Sequence, residues 1–186
     1  LSPQEVRNCL LVMINKNMFE WLKELPKYEP FVATTALSDR PLEEAYDTEL
    51  ALRFVLLAHI HENDIKAIGD VGVFLTDRMT EVAQDKSFKR APVKQLFEET
   101  FSTLNEVLED SAFKRYSTKK GRHEGGFLLS LFEVIALGVA FNIKNGTLCA
   151  KSKIPERARS VWKQKEFTNW ATSGMTANRR LPHLIP

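Results

Sequence analysis

Phe127-Leu128-Leu129-Ser130-Leu131-Phe132-Glu133-Val134-Ile135-Ala136-Leu137-Gly138-Val139-Ala140-Phe141 is a fifteen-residue run with one ionisable side chain, Glu133. It falls short of the ~20 apolar residues that a membrane span needs. A soluble helix that is apolar on nearly every side belongs at the centre of a fold. A second such run, Leu50–Ile60, is interrupted only by Arg53 and His59. The two runs are therefore expected to form a central helix pair, with one-faced helices packed around them. A charged group is almost never fully buried unless paired. Arg53 is thus expected to meet Glu133 across the helix interface as a bidentate pair, so that removing Glu133 strands Arg53. Glu49, four residues before Arg53, competes for the guanidinium or shares it.

Working outward, Ser2-Pro3-Gln4-Glu5 reads as a helix start, with Ser2 as N-cap, Pro3 at the first position and Glu5 closing a capping box. Val6, Leu10, Met13 and Ile14 continue at helical spacing, and Phe19, Trp21 and Leu22 give a second short helix up to Pro26. Pro30 and the Thr34-Thr35 pair suggest a loop over Tyr28–Asp39. Helices follow over Asp47–Ile60, capped at or just before Asp47, and over Val71–Val82. Ala91-Pro92 opens a strongly amphipathic one, with Val93, Leu96, Phe97, Phe101, Leu104, Val107 and Leu108 on a single face. Lys119–Gly126 is polar and glycine-containing and reads as a loop. A helix over Phe127–Ile143 ends near Asn145-Gly146, and a last one runs from Pro155 to about Trp170. No segment shows sustained alternation of period two. The expectation is an all-α, single compact domain of six to eight helices over residues 1–186.

The 186 residues are 44% hydrophobic and 27% charged, which excludes a disordered or collagen-like chain. Eight glycines and eight prolines are few enough to favour long helices over a turn-rich sandwich. Cys9 and Cys149 have no metal-ligand spacing and read as small hydrophobes, which points to a reducing cytosol. The chain opens Leu1-Ser2-Pro3 without Met, and is read as a piece of a longer polypeptide.

Nothing local announces catalysis. Phosphate-binding glycine loops, HExxH and GxSxG are absent. His59 and His61 lie two apart, on different faces of a helix, whereas metal ligands on one helix prefer three or four. The carboxylates Glu43, Glu44, Asp47 and Glu49 cluster where a helix dipole favours negative charge. Gly121-Arg122-His123-Glu124-Gly125-Gly126 could offer amides to an anion but reads better as a solvated linker. No catalytic, cofactor or metal site is expected.

Charge distribution says more than the net +2. Residues 114–122 hold five basic groups (Lys114, Arg115, Lys119, Lys120, Arg122) and no acidic ones. Residues 151–180 hold eight basic and two acidic groups, which leaves the remainder at −9. In the last segment Trp162, Phe167 and Trp170 are interleaved with Arg157, Arg159, Lys163 and Lys165. Cations suit a phosphate backbone and exposed aromatic rings suit unpaired bases. Arg157, Arg159, Lys163, Lys165 and Trp170 are therefore candidate nucleic-acid contacts. The alternative is an amphipathic helix with a solvated basic face and aromatic residues in the core.

Two stretches carry a family resemblance. Leu1-Ser2-Pro3-Gln4-Glu5-Val6-Arg7-Asn8 and Asp47-Thr48-Glu49-Leu50-Ala51-Leu52-Arg53-Phe54 resemble motifs of the Domain of Unknown Function 262 family. Thr172-Ser173-Gly174 followed by Arg179 and Arg180 is similar to its distal end. That family includes the GmrSD-like modification-dependent restriction proteins of bacteria. The resemblance implies the helical portion that follows a ParB/sulfiredoxin-like nucleotide-hydrolysing domain and often precedes an HNH nuclease domain. The family's Gln-Arg nucleotide-site motif belongs upstream of Leu1 and is not in this sequence. Implied partners are those two domains and DNA, with no membrane. Glu5, Arg7 and Asn8 would lie next to the upstream domain, with Arg7 docking it or reaching a phosphate. The competing expectation is a structural or oligomerising helical domain without nucleic-acid contact.

Overall fold

The computed structural model describes residues 2–60 and 68–170, and over them the chain is mainly α-helical with one two-stranded antiparallel sheet. His61, Thr172, Ser173, Gly174, Arg179 and Arg180 lie outside the described residues, as does the side chain of Trp170.

Helix α1, Pro3–Glu24, opens on the expected capping box at Ser2 and Glu5. The two short helices expected here are joined across a kink at Asn15, whose backbone leaves the helical region (φ −154°, ψ 85°). The Asn15 side chain accounts for the joint. Its Oδ1 accepts from the Met18 amide at 3.0 Å, as an N-cap would, and its Nδ2 donates to the Ala83 carbonyl at 2.9 Å.

The loop expected over Tyr28–Asp39 is replaced in part by helix α2, Glu29–Thr35. Pro30 sits in its first turn, where a missing N–H costs nothing. The Thr34 and Thr35 hydroxyls donate back to the Pro30 and Phe31 carbonyls, and burial of Phe31 holds the helix in place. Helix α3, Asp39–Glu43, and helix α4, Tyr46–Leu57, follow. Helix α5, Val71–Gln84, is capped by Asp70, whose carboxylate accepts from the Val73 amide at 2.9 Å. Helix α6, Arg90–Leu108, buries the expected face through Val93, Leu96, Phe97, Phe101, Leu104 and Leu108.

The polar stretch read as a loop, Lys119–Gly126, forms the turn and most of the second strand of a hairpin made of strand β1, Lys114–Ser117, and strand β2, Arg122–Phe127. Arg115 pairs with Glu124, Tyr116 with His123 and Ser117 with Arg122, with a register shift next to Lys114. The glycines that argued for a loop build this hairpin. Gly121 (φ +65°) turns it, and Gly125 (φ +83°) takes up the extra residues where the register shifts. Both strands are half-buried to exposed, so no alternation of period two marks them.

Phe127 therefore ends a strand, and the apolar helix starts two residues later. Helix α7 comprises Leu129–Leu131, a π-helical turn over Phe132–Ala136, and Leu137–Lys144. Phe141, at the far end of the apolar run, is 58% exposed. The single helix expected from Pro155 to Trp170 is broken into helix α8, Ile154–Ser160, a 3-10 turn over Val161–Lys163, and helix α9, Lys165–Trp170. The break at Gln164 brings buried Phe167 edge-on to Trp162, with centroids 5.1 Å apart. Five positions apart on a continuous helix, these rings would point in different directions.

The core is organised on aromatic rings. Phe97 and Phe101 of α6 lie 4.6 Å apart by centroid, and both meet Phe31 of α2 and Phe54 of α4 within 5.5 Å. Phe132 of α7 continues the cluster towards Phe113 and Phe127. Helices α4 and α7 are buried over most of their length, as their composition requires, and α6 supplies the rings between them.

Candidate nucleic-acid interface

Two groups of charged residues stand out in this fold, one inside and one on the surface. Inside, Arg7 of α1, Glu49 and Arg53 of α4, and Glu133 in the π turn of α7 form a continuous chain of alternating charge. Glu49 Oε1 accepts from Arg7 Nη2 at 2.5 Å and from Arg53 Nε at 3.2 Å, and its Oε2 accepts from Arg7 Nε at 3.2 Å. Arg53 Nη1 donates to Glu133 Oε1 at 3.1 Å. Exposure is 5% for Arg7, 4% for Glu49, 12% for Arg53 and 0% for Glu133. Arg53 thus shares its donors between Glu49 and Glu133, while the two-oxygen fork falls on Arg7 and Glu49. The partnership of Arg7 escaped sequence reasoning because 42 residues separate it from Glu49. The one available signal was a helix that places Arg7 three positions from half-buried Leu10 and four from buried Leu11.

This burial takes the Arg7 guanidinium away from the surface at which a domain or phosphate would meet it. Glu5 is exposed and engaged in the capping box, accepting from the Ser2 amide at 2.5 Å; that hydrogen bond holds its carboxyl below the usual range. Asn8 is half-buried. Cys9, read as a small hydrophobe, is exposed, and Cys149 is half-buried.

On the surface, the fold brings together the two basic segments that lie apart in sequence. The hairpin meets the broken C-terminal segment through two arginines, each over an aromatic ring of the other element. Arg115 of β1 lies over Trp162, 5.8 Å from the ring centroid, and Arg159 of α8 lies over Tyr116, 5.7 Å from its centroid. Tyr116 also meets His123 of β2 edge-on at 5.0 Å. Both arginines are exposed and both rings are half-buried.

Charge pairing on this face is partial. Lys114 binds Asp110, and Lys120 binds Glu124 at 2.8 Å. That hydrogen bond, with the nearby charges of Lys120, Arg122 and Arg115, holds the Glu124 carboxyl below its usual range. Among the described residues, Arg115, Lys119, Arg122, Arg157, Arg159, Lys163 and Lys165 make no ion pair with a carboxylate.

Arg157 stands apart from Arg159. Two positions away on a short helix it points to the other side, where it lines a groove of about 150 Å³ between α7 and α8 with Val134, Gly138 and Cys149. The expected cationic set is therefore split between two faces, and the hairpin adds Arg115 on the side of Arg159.

Among the described residues no group of three or more His, Cys, Asp or Glu could hold a metal ion, and no helix is long and apolar enough to cross a membrane. No protein-family model, curated protein or solved structure matches this chain.

Proposed function

We propose that this chain is a DNA-contacting helical module of a nucleotide-dependent, modification-dependent restriction or phage-defence protein of the GmrSD-like kind. In this role it couples a nucleotide-hydrolysing domain to DNA or to a nuclease domain in a reducing cytoplasm. The observation that carries the DNA contact is the convergence of two basic segments on one surface, with most of their guanidinium and ammonium groups unpaired. The family assignment draws on the two stretches that resemble its motifs. Their charged residues, Arg7 from one and Glu49 and Arg53 from the other, meet in one buried network, which gives both stretches a shared structural purpose.

The test is a titration of DNA at several salt concentrations with the wild type and with a variant carrying Arg115→Gln, Arg159→Gln, Lys163→Gln and Lys165→Gln. Loss of phosphate contacts weakens binding across sequences and flattens its salt dependence. Unchanged affinity in the variant refutes the contact.

A structural or oligomerising module is the second reading, and one observation favours it. Val6 (48% exposed), Cys9 and Met13 (83% exposed) line one side of α1 at positions that share a helical face. Sedimentation of the wild type and of Met13→Glu separates the readings. An assembly that Met13→Glu dissociates, in a protein that binds no DNA, selects the second.

A further inference from the structure

We infer that the hairpin of β1 and β2 is itself a contact element, and that the ligand of this face is duplex DNA held by its phosphates rather than an unpaired strand held by its bases. The inference rests on the nucleic-acid reading above and narrows it.

Binding of an unpaired strand needs free ring faces, because bases stack on aromatic side chains. The two rings on this surface whose side chains are described, Tyr116 and Trp162, each already have a guanidinium over them. Each is also in edge contact with a second ring, His123 for Tyr116 and Phe167 for Trp162. A base stacking on either of these faces would have to displace an arginine. The rings serve instead to orient Arg115 and Arg159, which keep their N–H donors for a ligand while their planes are fixed. Fixing a long side chain before binding removes part of the entropy that a phosphate contact would otherwise cost.

The hairpin extends this surface. Its turn carries Lys119, and Arg122 opens β2; both are exposed, and neither side chain makes a hydrogen bond or ion pair among the described residues. The carboxylate of the hairpin, Glu124, is tied to Lys120 and leaves Arg115 and Arg122 without a salt bridge. Cations thus come from two separate elements, the hairpin and the segment around Arg159 and Lys163. Cations on two elements can engage both phosphate strands of a duplex, whereas an unpaired strand offers one line of phosphates.

The experiment compares a blunt DNA duplex of arbitrary sequence with one of its own strands, each labelled and titrated with the full chain at several salt concentrations. The variants are Lys119→Gln/Arg122→Gln in the hairpin and Arg159→Gln/Lys163→Gln in the C-terminal segment, with circular dichroism to check folding. The wild type is expected to bind the duplex more tightly than the strand. The hairpin variant is expected to flatten the plot of log affinity against log salt by about 1.8, two phosphates at about 0.9 each. Equal or tighter binding of the strand overturns the duplex assignment. An unchanged duplex slope in the hairpin variant, with the C-terminal variant weakened, overturns the role of the hairpin while the DNA reading stands. Binding of neither probe by the wild type overturns both.

Discussion

Replacing Glu49 by Ala is the most demanding stability test of this structure. Glu49 is 4% exposed and accepts from both Arg7 and Arg53, so its loss leaves two guanidiniums where one carboxylate served them. Among the described residues Arg7 has no other carboxylate, and at 5% exposure water cannot replace the lost one. Breaking a buried pair by removing one partner costs about 3–5 kcal/mol. With a urea m-value of about 2 kcal/mol/M, the unfolding midpoint should fall by roughly 1.5–2.5 M. Glu133→Ala is the informative comparison. From sequence it would strand Arg53; in the structure Arg53 also holds Glu49 and is 12% exposed, so the part of the loss that falls on Arg53 is one charge-assisted hydrogen bond, about 1.5–3 kcal/mol. Replacing both Arg7 and Glu49 by Met should recover much of the Glu49→Ala loss, since a buried pair and an apolar pair of similar volume are often near-equal in stability. A Glu49→Ala protein within about 1 kcal/mol of wild type, far below the loss of a buried partner, refutes the network as drawn.

Three further outcomes are expected. Gly125→Ala should destabilise by about 1–2 kcal/mol because φ is +83° there, whereas Gly138→Ala, in α7 with nothing near the added Cβ, should stabilise by about 0.5–1 kcal/mol; thermal unfolding of the two variants reads the opposite signs. Asn15→Ala removes the internal cap and the bond to Ala83 and should cost about 1–2 kcal/mol, with the amide of Met18 exchanging faster in hydrogen-exchange measurements. His59 is held below its ordinary pKa of 6.5, first by burial and then by the charge of Lys144. The unfolded chain therefore takes up the proton first as pH falls, so this group's contribution is complete above about pH 6.5 and shrinks below it. The loss of stability between about pH 7 and 5 should be smaller in His59→Gln, read from urea midpoints; an equal loss would show that His59 does not carry it.

The sequence spoke most clearly where local rules and burial agree. The capping box at Ser2 and Glu5, the amphipathic face of α6 and the end of α7 at Gly146 each follow from short-range chemistry. Arg53 and Glu133 were legible as a pair because each is the exception in an apolar run. Arg7 was not, since its one mark is a helix that sets it a turn before Leu10 and Leu11, and its partner Glu49 lies 42 residues away. Helix α2 was hidden because Pro30 reads as a breaker until its place in the first turn is known. The hairpin was hidden for a different reason. Its strands lie on the surface with both faces partly wet, so they carry no alternation, and its glycines serve turn and bulge geometry. That omission mattered for the site. Without the hairpin, Trp162 looks like a platform for a base; with it, the ring is covered by Arg115.

The central claim, that this surface grips DNA through phosphates, is tested most directly by the salt dependence of duplex binding to the wild type, followed by fluorescence anisotropy. Arg115, Lys119, Arg122, Arg159 and Lys163 are exposed and unpaired among the described residues, and engagement of about five phosphates gives a log–log slope of about −4 to −5. A slope near that value, equal for unrelated sequences, is the predicted result. An affinity indifferent to salt, or no binding at low salt, contradicts the account.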